Sequence, residues 1–257
     1  MTSFREAYLA LPRPTLFGHR GCRGEAPENT LAAFEVAARA GADGIEIDVR
    51  PCRDGSLVVM HDPTLERTAG DRRSVAALSL GELSAVRSEG EPIPTLDETL
   101  EFCRRRGLAL NVELKRDVPS RPRAVLAAAR TLLRHKPGHG VVVSSFDPLM
   151  LAAFRVLAPE IPTALLLEPD SARKHGHERL ARFLGLAVHP DRAMVTPERL
   201  RRWREESLRV AVWTVNEPDE LRRLCRLGVD GLISDNPALA RSVIDEELAG
   251  PPRLSAT

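Results

Sequence analysis

The chain has 257 residues, 43% of them hydrophobic and 28% charged, so it can bury a large core and is not globally disordered. A formal net charge of +1 gives no bulk field for nucleic acid or an acidic membrane surface. No stretch approaches the roughly 18 apolar residues that a membrane span requires.

The N-terminal segment has no long apolar stretch and carries Glu6, so no signal peptide is expected. Short β-type runs follow at 15–19, 44–49, 56–61, 108–115, 141–146, 163–168, 186–189, 210–215 and 231–235. Helical stretches lie between them at 30–42, 95–107, 122–135, 148–158, 172–185, 196–207, 217–228 and 237–248. Thr30 and Thr196 read as N-caps, Pro122, Pro197 and Pro237 as first-turn prolines, and Gly41, Gly107, Gly185 and Gly228 as C-terminal stops. Runs 44–49 and 56–61 have no helix between them. Asp54-Gly55 is a tight-turn signal, so the second run is an extension or hairpin partner of the first. Eight strand–helix units then remain, the number that closes a (β/α)8 TIM barrel, with one small insertion after the second strand at 62–94. The insertion reads as polar, with one short helical piece, SLGELSAV. The whole of 1–257 is expected to form one such domain, with a fraying tail GPPRLSAT.

Barrels carry their sites at the C-terminal ends of the strands. Polar side chains gather there: His19-Arg20, Glu46 and Asp48, His61-Asp62, Glu113 and Lys115, Ser144 and Ser145, Glu168, His189, Trp213 with Asn216, and Asp235. Glu46 and Asp48 share one face of a strand. Two buried carboxylates repel and resist ionisation; with Glu113 from the next strand they make a hard-oxygen site for one divalent cation, Mg²⁺ or Ca²⁺ rather than Zn²⁺. The alternative is a solvated strand end paired with Arg50 or Lys115. His19 and His61, each followed by a charged residue, can divide general-acid and general-base work. Arg20 and Lys115 bring positive charge suited to a phosphate. His135, His139, His175 and His177 fall in helices or loops and read as surface residues. Cys22, Cys52, Cys103 and Cys225 show no C-x-x-C spacing and read as reduced thiols, consistent with a cytoplasmic protein.

The strings GHRGCRGEAPENT (18–30), GIEIDVRPCRDGSLVVMHD (44–62), NVELK (111–115), VSSF (143–146), WTVN (213–216) and GVDGLISDNP (228–237) resemble the glycerophosphodiester phosphodiesterase family. The resemblance runs from about Phe17 to Pro237, and the ordered set His19-Arg20, Glu46-x-Asp48 and His61-Asp62 carries it. It implies that His19 and His61 are the acid/base pair, that Glu46, Asp48 and Glu113 bind the metal, and that Arg20 and Lys115 hold the phosphate. It further implies that Glu28 and Asn29 organise the first loop and that Trp213 lines the glycerol or leaving-group pocket. His189 and Glu168 inherit no role.

The activity implied is hydrolysis of a small-molecule glycerophosphodiester to sn-glycerol 3-phosphate and an alcohol, without nucleic acid or stable membrane association. The oligomeric state is left open, as is the nucleophile, water or the glycerol 2-hydroxyl. The rival readings are a lysophospholipase D-like hydrolase, a phosphatidylinositol phospholipase C-like reaction, a glycosidase and a non-catalytic phosphate-binding barrel. With 4% aromatic residues the chain is poor in sugar-stacking groups, and paired carboxylates two residues apart on one strand do not flank a cleft.

Overall fold

The alternation of strand and helix resolves into a closed ring of parallel strands in the structure, a computed structural model that describes residues 3–135, 140–170 and 180–249. The strands in chain order are β1 (Thr15–His19), β2 (Gly44–Pro51), β3 (Leu57–Val59), β4 (Thr64–Leu65), β5 (Asp71–Ser74), β6 (Arg87–Ser88), β7 (Glu91–Pro92), β8 (Ala109–Leu114), β9 (Val141–Ser145), β10 (Thr163–Leu167), β11 (Ala187–Pro190), β12 (Arg209–Val212) and β13 (Gly231–Ser234). The ring runs β1, β2, β8, β9, β10, β11, β12, β13, and β13 pairs back onto β1. All eight pairings are parallel, so the fold is a (β/α)8 barrel. β3 pairs antiparallel with β2 through a turn in which Gly55 takes φ +87°.

Each strand sends alternate side chains outward. Leu16, Ile45, Ile47, Leu110, Val112, Val143, Leu165, Val210 and Leu232 pack with helix residues such as Phe34, Leu132, Phe154, Trp203 and Leu224 in one apolar layer. Helix boundaries follow the sequence signals. Thr30 and Thr196 accept from Ala33 N and Arg199 N, and Gly107 and Gly228 end their helices in the left-handed region. Gly185 differs. Its φ of −176° is extended, and a Cβ there would sit 2.0 Å from Thr163 O, so it is glycine for close approach and not as a left-handed stop. Of the helix expected at 172–185, residues 172–179 lie outside the described residues, and Ala181–Leu184 is helical. His139, His175, His177 and the tail after 249 also lie outside them.

Two features are absent from the sequence expectation. A helix at Phe4–Leu9, fixed by a Ser3/Glu6 capping box, brings Tyr8 against Val142, Ala164 and Ala187 at the bottom of the barrel. Arg209 stacks on the Tyr8 ring at 4.9 Å and donates to its carbonyl. The insertion is also less polar than its composition suggests. Its short helices Glu66–Ala69 and Leu80–Leu83 and the ribbons β4–β5 and β6–β7 cover a small core of Val58, Met60, Leu65, Val75, Leu78, Leu83 and Ile93. Among the described residues no helix is long and apolar enough to cross a membrane. All four cysteines are unpaired thiols.

Candidate active site

The chain turns sharply where β1 ends. A Cβ on Gly18 would lie 2.3 Å from Gly21 O, and Gly21, at φ +89°, packs against Ala33. Between them Arg20 is held at φ +53°, an uncommon conformation for a side-chain-bearing residue. The turn aims the Arg20 backbone N–H at Glu46 Oε2, 3.1 Å away on β2. Arg20 Nη1 reaches Glu28 Oε1 at 3.0 Å, and its Nε lies 3.1 Å from Asp48 Oδ2. Asn29, also left-handed at φ +58°, donates from Nδ2 to Asp48 Oδ2 at 3.0 Å. The string HRG…PENT thus folds into a loop clamped onto the carboxylates of β2.

Glu46 and Asp48 on β2 stand beside Asn111 and Glu113 on β8, in register. One carboxylate oxygen from each of Glu46, Asp48 and Glu113 lies within 4.8 Å of the others. Lys115 Nζ bridges Asp48 Oδ1 at 3.2 Å and Glu113 Oε1 at 2.8 Å. The cations are shared unevenly. Burial opposes ionisation of Asp48, but Lys115 and Arg20 outweigh it and hold its carboxyl well below the usual range. Burial and the Asp48 charge push Glu113 up to about 7 despite Lys115. Burial, Asp48 and Glu113 together raise Glu46 well above the usual carboxylate range, and Arg20 only partly offsets them.

Two histidines border this cluster, and each has a carboxylate on Nδ1. His19 Nδ1 lies 2.6 Å from Asp235 Oδ1, just after β13; Asn216 Nδ2 donates to the other oxygen at 2.7 Å. Its Nε2 lies 3.9 Å from Glu46. His61 Nδ1 lies 2.6 Å from Asp62 Oδ1, and Arg67 of the insertion ties Asp62 to Glu28 with contacts of 2.6 and 2.5 Å. Burial lowers the His61 pKa, aided by Lys115 and Arg20 and opposed by Asp48. In both rings the carboxylate accepts from Nδ1–H, so the neutral ring presents Nε2 as its basic nitrogen.

A cavity of about 240 Å³ opens here, lined by His19, Arg20, Glu46, His61, Glu113, Lys115 and Trp213 together with Asn111, Phe146, Leu166, Thr214 and Ile233. Of the eight side chains given an acid–base, phosphate, metal or pocket role from the sequence, seven line it, and the eighth, Asp48, is held by Arg20 and Lys115. Trp213 donates from Nε1 to His189 O at 2.7 Å and stands edge-on to Phe146, with centroids 5.5 Å apart. His135, expected at the surface, pairs there with exposed Asp97. Glu168 lies outside the cavity, 3.4 Å from Arg116. Sequence reasoning noted Asp235 and Asn216 only as strand-end polar residues and gave no role to Phe146 or Asn111. The missing signal was the closure of β13 onto β1, which no local pattern reveals.

The arrangement can hold a hard cation on three carboxylates, neutralise a phosphate with Arg20 and Lys115, and move protons through two oriented imidazoles. Comparison with known proteins points the same way. Residues 19–239 match the model of the Glycerophosphoryl diester phosphodiesterase family. The chain is 31% identical over 230 residues to a glycerophosphodiester phosphodiesterase of Caldanaerobacter subterraneus, covering 86% of this chain and 94% of that one. It is 33% identical over 255 residues to one of Bacillus altitudinis, covering 90% and 98%. Among solved structures, an Oleispira antarctica phosphodiesterase in complex with the product sn-glycerol-3-phosphate superposes with a TM-score of 0.84 at 29% identity, covering 93% of this chain and 99% of that one.

Proposed function

The chain belongs to the glycerophosphoryl diester phosphodiesterase family, and from that membership we propose that it hydrolyses glycerophosphodiesters to sn-glycerol 3-phosphate and an alcohol, with a divalent cation and a His19/His61 acid–base pair. One observation carries the reading. Three carboxylates within 4.8 Å of one another share a cavity with two histidines whose Nδ1 atoms are each bound by a separate carboxylate. A structural salt-bridge cluster would account for the carboxylates and Lys115. It would not account for two imidazoles at the cavity, each fixed at Nδ1 by its own carboxylate.

Glu46, Asp48 and Glu113 fit Mg²⁺ or Ca²⁺ because all three donors are carboxylate oxygens and because Glu46 stays under-compensated by the surrounding cations. When bound, such an ion supplies positive charge against the developing charge on phosphoryl oxygen. Arg20 and Lys115 bind and orient the phosphate, Arg20 through a planar guanidinium fixed by Glu28. One histidine takes a proton from the attacking hydroxyl at Nε2, and the other returns a proton to the departing alkoxide. Asp235 and Asp62 keep each ring in the required tautomer. Trp213 walls the pocket on the β12 side. The unpaired cysteines fit a cytoplasmic setting.

The test is release of sn-glycerol 3-phosphate from glycerophosphocholine and glycerophosphoethanolamine, first with EDTA and then with Mg²⁺ or Ca²⁺ restored. EDTA should abolish turnover and one ion should rescue it. Glu46→Gln should shift the metal titration to higher concentration. Turnover unaffected by EDTA would remove the metal from the mechanism, and no turnover on either diester would move the assignment to lysophospholipids or to a binding role.

A further inference from the structure

Beneath the charged groups the barrel interior changes character. Asn111 sits two residues before Glu113 on β8, one inward-facing position deeper and about 6.6 Å along the strand. It is 1% exposed, yet it lines the cavity. Its Nδ2 lies 3.5 Å from Nδ1 of His189, which projects from β11 and is also 1% exposed. The other end of the amide, Oδ1, has no hydrogen-bond partner in the protein. A buried amide oxygen without a partner is costly unless something supplies a donor. Of the groups that line the cavity around it, Leu166 and Ile233 are apolar and Trp213 Nε1 is committed to His189 O.

We infer that Asn111 determines specificity, its Oδ1 accepting a hydrogen bond from a hydroxyl of the substrate's glyceryl group. The inference rests on the phosphodiesterase reading above. A phosphate held by Arg20 and Lys115 fixes one end of the substrate. The far hydroxyl of a glyceryl ester lies about one strand repeat away, the separation between the Glu113 and Asn111 positions. Leu166 and Ile233 then face the glyceryl carbons. This orientation points the glyceryl group into the barrel and leaves the leaving alcohol at the rim, beside Phe146. His189 is well placed as an anchor. Burial, with Arg209 nearby, pushes its pKa down to about 3, so the ring stays neutral and can accept from the amide at Nδ1.

The test compares kcat/KM on glycerophosphocholine with kcat/KM on the propyl ester of phosphocholine, which lacks both hydroxyls. The wild-type enzyme should favour the glyceryl diester, and Asn111→Ala should lower the glyceryl-to-propyl ratio roughly ten- to hundredfold. A ratio unchanged by the substitution, with both substrates slowed equally or not at all, overturns the inference and leaves the phosphodiesterase reading standing. A wild-type enzyme that cleaves neither diester fails at the earlier reading and takes this one with it. A second measurement needs no variant: sn-glycerol 3-phosphate should inhibit the wild-type enzyme at least about tenfold more tightly than propyl phosphate. Equal inhibition overturns the assignment of Asn111.

Discussion

The rim of this barrel is half-buried to buried and its floor fully buried; both are polar, but they satisfy their polar groups in different ways. At the rim, every charge singled out has a charged neighbour: Asp48 has Lys115 and Arg20, Glu113 has Lys115, His19 has Asp235 and His61 has Asp62. On the floor, Asn111 and His189 are neutral, and each keeps one polar atom, Oδ1 and Nε2, without a partner in the protein. An unpaired buried charge costs several kcal/mol, so most of the ionic rim groups are compensated within the fold, and Glu46, the least compensated, resists ionisation. A neutral group costs only about 1–3 kcal/mol when left unmade, a cost that substrate binding can recover. On the reading proposed above, the rim then serves chemistry that has to be in place before the substrate arrives, and the floor serves recognition.

The largest test of this division is at the rim. His19→Ala or His61→Ala should each lower kcat by roughly 10²- to 10⁴-fold, the range for loss of a general acid or base, with little change in melting temperature. Near-normal turnover in both variants would leave the rim as a binding surface only. Next in size are the carboxylates behind the rings. Asp235 is gripped by Asn216 through its backbone N–H and one side-chain oxygen, whereas Asp62 is shared with exposed Arg67. Asp235→Asn should lower kcat by about 10- to 100-fold, on the scale of losing a group that orients a working histidine, with KM little altered. Asp62→Asn should cost less, because Arg67 would still restrain that side chain. Equal losses, or losses expressed in KM, would mean that the carboxylates contact substrate instead of fixing rings.

These two pairs also show where the sequence was legible. His61 and Asp62 are neighbours in the chain, and Glu46 and Asp48 alternate on one strand, so their proximity follows from local geometry. The barrel itself follows from eight repeats of strand and helix. Asp235 and His19 are 216 residues apart and meet only because β13 closes onto β1. Asn111 is harder still. It lies inside an apolar strand, ALNVEL, where a lone amide looks like a packing irregularity, and its significance depends on His189 reaching it from across the barrel. The N-terminal helix was illegible for another reason: six residues are too few to show a period, and the capping box alone marks it.

The smallest expected effect tests the floor. His189 titrates near 3 in the folded protein because burial disfavours its charged form, whereas an unfolded histidine titrates near 6.5. Its folded pKa is depressed, so the stability it confers is present above about 6.5 and is lost as pH falls toward 3. In that window the unfolded chain binds a proton that the native state refuses. This one group then removes up to about 1.4 kcal/mol of stability per pH unit of acidification. His189→Gln keeps a polar group beside Asn111 but cannot take that proton. Urea midpoints measured between pH 7 and pH 4 should therefore fall less steeply for the variant than for the wild type. The rim carboxylates and Arg209 are common to both proteins, so their own titration cancels in the difference. Parallel slopes would mean that His189 is charged or solvated in the folded state. The floor would then be no more neutral than the rim, and the division between them would fail.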